Sequence, residues 1–341
     1  MPSSSLDVQL HTRFFLRCVN ILPHQYTPND SSRLTLAYFG VCGLDLLNTL
    51  YTDTTPLRRL NWIKWIYSCQ IPGGFRGSPS LKLPSPSKYD PPHLAATFFA
   101  LTMLIVLGDD LSSVDRDGIL RSLSSFQRDD GSFAPVVFEG VRHGEVDLRF
   151  IYCASAIQYI LHGSTIDSDR VVQYIRAIRN YDYGIGQAVG SESHAGLTFC
   201  ALAALKLLGK LDDLDCKDKT LHWLLQRQLV DNGGFNGRVN KPADTCYSFW
   251  AGGSIQILGF AHLVPISENR NFLFEKTQHK LGGFGKTPDT YPDILHSYLG
   301  LASLALSNEH GLNDIDAALC ISKQAVARIR TLPWWQSHLE P

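Results

Sequence analysis

Three things are scarce in this chain: net charge, long hydrophobic runs and close-set cysteines. Its 31 Lys and Arg nearly balance 32 Asp and Glu, leaving a formal net charge of −1. Nothing global therefore draws it to nucleic acid or to an anionic membrane, and any anion site has to be local. The most apolar run, 95–107, contains Thr97 and Thr102. It falls short of the roughly 20 residues that a bilayer-spanning helix needs. The first residues, Met1-Pro-Ser-Ser-Ser, have no basic stretch followed by an apolar one, so no secretory signal is expected. The eight cysteines are scattered and none forms a CxxC pair. That usage suits a reduced, cytoplasmic protein in which most thiols are small buried apolar groups.

What is abundant is repetition. With 44% hydrophobic and 18% charged residues the chain can fill a large core. Glycine-aromatic turns recur at Gly73-Gly74-Phe75, Gly131-Ser132-Phe133, Tyr183-Gly184-Ile185-Gly186, Gly233-Gly234-Phe235 and Gly282-Gly283-Phe284. Their starts lie about fifty to sixty residues apart, a spacing typical of stacked supersecondary units. Each turn follows a segment with helical periodicity and precedes a far more apolar one, such as the segments opening at His93, His194 and Cys246. One set of helices should be amphipathic and outer, the other buried on most sides. An open row of such hairpins would leave the apolar set wet at both ends. The expectation is therefore an all-α protein, an α/α toroid of about six hairpins forming one domain over 1–341. The turns would gather the starts of the inner helices on one rim, where helix N-termini favour anions. The Pro/Ser-rich stretch 78–87 reads as a long surface loop.

The chemistry gathers at that rim. Asp244, Cys246 and His296 offer an oxygen, a sulfur and a nitrogen donor. Cys246 and His296 stand at nearly the same phase of adjacent repeats, so the three can converge although remote in sequence. Three protein ligands would leave an open coordination position, as catalytic zinc requires. The plainer alternative is a helix cap, a buried thiol and a rim histidine, and for Cys69, Cys153 and Cys200 that plainer reading is kept. Arg238, Lys241 and Lys286, with His194 and Arg149, belong to rim segments and would concentrate positive charge beside the metal. Such a field fits a small, highly charged anion such as a diphosphate. Tyr247, Phe249, Trp250, Phe199, Tyr298, Tyr38 and Phe39 either pack the core or line an apolar pocket below that mouth.

Over almost its whole length the chain resembles the protein prenyltransferase β subunits, most closely those of the type I geranylgeranyl enzymes. The resemblance is carried by the stretch from Gly234 through Asp244-Thr245-Cys246 to Trp250, by Glu145-Val-Asp-Leu-Arg149, by Glu192-Ser-His-Ala-Gly and by Pro292-Asp-Ile-Leu-His296. It implies a toroid of the kind shared with terpene cyclases, working as an obligate heterodimer with a prenyltransferase α subunit. One zinc per β subunit would be held by Asp244, Cys246 and His296. The isoprenoid diphosphate would be bound by His194, Arg238, Lys241, Tyr247 and Lys286, and the peptide C-terminus by Glu145 and Arg149. Thr35, Phe39, Trp250 and Leu299 would line the lipid pocket. The farnesyl enzymes carry Trp where Thr35 stands, so Thr35 favours the twenty-carbon lipid, geranylgeranyl diphosphate. They carry Asp where Lys286 stands, so no magnesium requirement is implied. Leu299 departs from the Phe or Tyr usual there and leaves extra room. The acceptors implied are CaaX proteins ending in Leu or Phe, such as Rho/Rac-type small GTPases. Competing readings are a farnesyl or Rab-directed β subunit and a metal-free helical-repeat scaffold. A protonation-initiated terpene cyclase needs a DxDD cluster, which the chain lacks; Asp212-Asp213-Leu214-Asp215 reads as a solvated loop.

Overall fold

A computed structural model describes residues 5–83 and 90–336, and the chain winds through them as a closed ring of helical hairpins. In chain order the pairs are α1 (Val8–Asn20) with α2 (Arg33–Leu46), α3 (Pro56–Tyr67) with α4 (Leu94–Val106), and α5 (Arg116–Phe126) with α6 (Leu148–Ile160). They continue with α7 (Ser168–Ala177) and α8 (Ala195–Leu207), α9 (Lys217–Leu225) and α10 (Thr245–Ile257), and α11 (Ile266–Asn271) and α12 (Ile294–Leu306). Helix α11 runs on as a π-helical segment, Phe272–Thr277. The even-numbered helices form the inner ring, each against the next, and α12 returns to pack on α2.

The two classes follow from their residues. Helix α4, Leu-Ala-Ala-Thr-Phe-Phe-Ala-Leu-Thr-Met-Leu-Ile-Val, is buried except at Ala95 and Phe99. Helix α7 buries only a stripe of Val171, Val172 and Ile175 and exposes Asp169, Arg170 and Arg176. Aspartates cap three of the outer helices, α1, α5 and α7: Asp115, for example, accepts from Gly118 N–H at 2.9 Å and Asp167 from Arg170 N–H at 3.1 Å. The glycine-aromatic turns share one construction. Each buried turn residue, Phe133, Ile185, Phe235 or Phe284, pairs through a single β-bridge with a residue just past the end of the preceding outer helix. Gly233 has φ of 76°, and a Cβ there would lie 2.4 Å from the Glu268 carbonyl oxygen, so both conformation and space demand glycine. Tyr183 adopts the equivalent left-handed geometry, φ 68°, in the turn that lacks the first glycine.

Among the described residues the strands are short antiparallel pairs: β1 (Gln70–Ile71) with β2 (Gly74–Phe75), β3 (Val136–Phe138) with β4 (Val141–His143), and β5 (Ile315–Asp316) with β6 (Ile321–Ser322). Two closures were not anticipated. His11 on α1 reaches the last turn, where its Nδ1 accepts from Gly283 N–H at 3.0 Å and its ring stacks on Phe284. The segment after α12 then folds across the far end of the ring. Asn313 N–H donates to Leu46 O at 2.8 Å, Arg328 on α13 (Lys323–Ile329) to Val106 O at 2.8 Å, and Trp334 Nε1 to Ile160 O at 3.0 Å. It thereby satisfies carbonyls at the C-terminal ends of α2, α4 and α6.

Every inner helix carries one aromatic at matching depth: Tyr38, Phe98, Tyr152, Phe199, Phe249 and Tyr298. From Tyr298 through Tyr38, Phe98, Tyr152 and Phe199 to Phe249, successive ring centroids lie 5.3–6.1 Å apart. This arc runs from each inner helix to the next around the ring. No described helix is long and apolar enough to cross a membrane. Of the stretch 78–87, Pro79–Leu81 forms a 3₁₀ turn and 84–87 lie outside the described residues.

Candidate functional site

Five of the inner helices begin with a residue that caps them through its side chain: His93, Asp147, His194, Asp244 and Asp293. These caps share one rim, and the chemistry is built on them. Asp244 Oδ1 accepts from Cys246 N–H at 3.0 Å, so the plainer reading of Asp244 as a cap is right in itself. The same oxygen lies 3.2 Å from His296 Nε2. Thr245 stitches this corner to the next turn, its hydroxyl donating to Gly285 O at 2.6 Å and its N–H to Lys286 O at 2.9 Å. One donor atom each from Asp244, Cys246 and His296 lies within 4.8 Å of the others.

The donor set fits a thiophilic divalent cation. A tetrahedral zinc spaces its ligands by roughly 3.3–3.8 Å, so the three atoms would have to draw in by at most about 1 Å. Burial, and then the neighbouring Asp244 carboxylate, push the Cys246 thiol well above its usual range, so its anion needs a cation beside it. Burial also opposes ionisation of Asp244, but hydrogen bonds from His296 and Cys246 together hold its carboxyl below the usual range. For His296, burial is outweighed by the Asp244 and Asp293 carboxylates, which raise it to about 9. Asp293 had not been singled out from the sequence. Its Oδ2 lies 2.6 Å from His296 Nδ1 and its Oδ1 accepts from His296 N–H at 2.9 Å, leaving Nε2 turned toward Asp244. An Asp three residues before a rim His was the available signal.

Beside this triad is a recess of about 180 Å³ lined by Arg238, Lys241, Asp244, Tyr247 and Lys286. Lys286 Nζ stands 3.8 Å from Asp244 Oδ2, and Arg238 pairs with Glu192 at 3.3 Å. His194 does not line this recess but joins it through Tyr247. Its Nδ1 accepts from the N–H groups of Gly196 and Leu197, so a neutral ring carries its proton on Nε2, 3.0 Å from the Tyr247 hydroxyl oxygen. Burial and then Arg238 lower the His194 pKa, and burial raises Tyr247 to about 12. The tyrosine therefore keeps its proton and is free to donate it.

The larger cavity, about 670 Å³, opens between the inner helices. Thr35, Phe39, Trp250, Leu299, Arg149 and His194 line it, as do Cys153 and Cys200, for which the sequence alone favours plain buried thiols. Phe199, Phe249 and Tyr298 stand behind its wall, fully buried. Arg149 is held by Asp147, with Nε to Oδ1 at 2.8 Å, and by Glu145, with Nη2 to Oε1 at 2.9 Å; Glu145 itself is exposed.

Comparison with known proteins shows the family. The prenyltransferase α-α toroid domain matches residues 6–321. The β subunit of a type 1 geranylgeranyl transferase from Arabidopsis thaliana is 38% identical, over 92% of this chain and 88% of that one. Its counterpart from Dictyostelium discoideum is 35% identical over 95% and 97%. A solved structure of Candida albicans protein geranylgeranyltransferase-I complexed with GGPP superposes with a TM-score of 0.88 at 34% identity, covering 96% of this chain and 98% of that chain.

Proposed function

The chain belongs to the prenyltransferase α-α toroid family, and from that premise we propose that it is the catalytic β subunit of a zinc-dependent, heterodimeric protein geranylgeranyltransferase of type I. The observation that carries the reading is the meeting of Asp244, Cys246 and His296 beside a cationic recess on the rim of an apolar cavity. Such a site suits an isoprenoid diphosphate lowered tail first. Arg238, Lys241 and Lys286 hold the diphosphate, and Tyr247, oriented by His194, donates to it. Together they offset the charge that grows on the leaving group as C1 is attacked. Thr35, Phe39, Trp250 and Leu299 receive the tail, and the small Thr35 leaves room for twenty carbons. Arg149, pinned by Asp147 and Glu145, receives the C-terminal end of the peptide.

Asp244, Cys246 and His296 are the residues that hold the zinc, which when bound keeps the acceptor thiol as its thiolate at neutral pH. The acceptor sulfur forms a thioether bond to C1 while the C1–O bond breaks, and diphosphate leaves with the electron pair. Lys286 supplies positive charge beside the recess, so magnesium is not required. The partner is a prenyltransferase α subunit, and the acceptors are CaaX proteins ending in Leu or Phe, of the Rho/Rac type, in the cytoplasm.

The test is Cys246→Ala in the heterodimer. Bound zinc and transferase activity should both fall to background while the helical spectrum is unchanged. Stoichiometric zinc in the variant would sink the assignment, and a wild-type protein without zinc would favour the metal-free scaffold. Competition between fifteen- and twenty-carbon diphosphates separates this reading from a farnesyl enzyme.

A further inference from the structure

We infer that Cys320, carried by the segment that closes the far end of the ring, is a plug whose side chain sets the depth of the central cavity and thus the longest tail the site accepts. The inference rests on the isoprenoid reading of that cavity. Rim residues His93, Asp147, Arg149 and His194 line one end of the space, and Tyr38, Phe98, Tyr152 and Cys320 lie at the other. Along α8 the lining runs from His194 to Cys200, about 9 Å of helix axis at 1.5 Å per residue. Three of the four floor residues are rings of the aromatic arc, wedged between inner helices and fixed by their neighbours. Cys320 alone arrives from outside the helical ring, between β5 and β6.

That plug is held rigidly. The Cys320 carbonyl accepts hydroxyls from both Tyr38, at 2.8 Å, and Tyr298, on the two helices that close the ring. Its N–H donates to Asp316 O at 2.9 Å, and Asp316 Oδ1 accepts from Leu319 N–H at 2.8 Å. Both backbone polar atoms are thus satisfied, and the residue is held in the left-handed region at φ 54°. Its thiol lies 3.9 Å from the Tyr298 hydroxyl. The Tyr152 hydroxyl at the same floor is buried without a partner. An apolar tail offers that group no hydrogen bond, so the floor gives further extension no polar compensation. A plug whose backbone is fixed on both sides, and whose thiol makes a single long contact with the Tyr298 hydroxyl, is where tail length can be tuned without repacking the ring.

The experiment uses the heterodimer and measures dissociation constants for farnesyl, geranylgeranyl and geranylfarnesyl diphosphates. Cys320→Phe fills the end of the cavity and should weaken the twenty-carbon ligand relative to the fifteen-carbon one by roughly ten- to a hundred-fold. Cys320→Gly relieves the left-handed backbone and deepens the floor. It should improve the twenty-five-carbon ligand relative to the twenty-carbon one by roughly three- to ten-fold. Affinity ratios unchanged in both variants would overturn the plug. If Cys320→Phe fails to fold, the glycine variant decides by itself. A wild-type protein that binds none of the three ligands would instead overturn the isoprenoid reading beneath it.

Discussion

At the scale of single residues, the recess depends on a glycine that no turn requires. A Cβ on Gly237 would lie 2.0 Å from Cζ of the Tyr247 ring, so Gly237 is the space in which that ring stands. Gly237→Ala should drive the tyrosine off His194 and cost about 1–3 kcal/mol of stability. Diphosphate affinity should fall as well, by roughly ten-fold if one good hydrogen bond to a charged ligand is lost. Tyr247→Phe should lower affinity while leaving the melting temperature near wild type. Equal melting temperatures for wild type and Gly237→Ala would show that the ring has somewhere else to go. Lys286, close to Asp244, bears on metal use. Lys286→Asp exchanges a cation for a carboxylate beside the recess and should make transfer depend on added magnesium; a flat magnesium titration would count against that role. The donors Asp244, Cys246 and His296 could be read from residue type and repeat phase. Gly237 could not, because it matters only through a ring whose position is set by folding, whereas Asp293 carries only the local signal of an Asp three residues before a rim His.

At the scale of elements, the inner helices carry their polar groups at their starts, and two of those caps, His93 and His194, are partly buried imidazoles. His93 Nδ1 accepts from Ala95 N–H at 3.2 Å, and its ring meets Phe150 edge-on. Burial lowers its pKa to about 4, against about 6.5 in an unfolded chain. Between these values the unfolded state binds the extra proton. The stability that neutral His93 contributes is therefore complete above about pH 6.5 and is lost as pH falls toward 4. At pH 5 the loss from this one group should be about 2 kcal/mol. His93→Asn, which keeps a capping side chain without a titrating ring, should flatten that part of the curve. Denaturant midpoints from pH 7 to 4.5 test this, and parallel curves for the two proteins would refute it. The hairpins themselves were legible, because Gly233, Gly282 and their equivalents mark where an amphipathic helix gives way to an apolar one. The segment after α12 was not. Its partners are carbonyls at the ends of α2, α4 and α6, and nothing local in 312–336 announces a strap that spans three repeats.

For the whole molecule, ring closure distinguishes this chain from an open array of hairpins. A linear array loosens from its ends, because each terminal unit has one neighbour instead of two. Here the first inner helix packs on the last, and the N-terminal helix is bonded into the last turn through His11. Gly283 N–H occupies His11 Nδ1, so the neutral ring donates from Nε2 to Gln278 Oε1, 3.1 Å away. Both contacts span most of the chain, and the imidazole is fully buried. Unfolding should therefore be a single transition, with helical and tryptophan signals coinciding. His11→Ala removes both bonds and takes from the buried Gly283 N–H its side-chain acceptor, which should cost about 1–3 kcal/mol. More tellingly, it restores two ends. Amides of α1 and of the turn 278–284 should then exchange with solvent well before those of α6 and α8, while in the wild type they exchange together with the core. Uniform exchange in the variant, at an unchanged midpoint, would mean that the ring is held closed by α2 against α12 and that His11 only fills space.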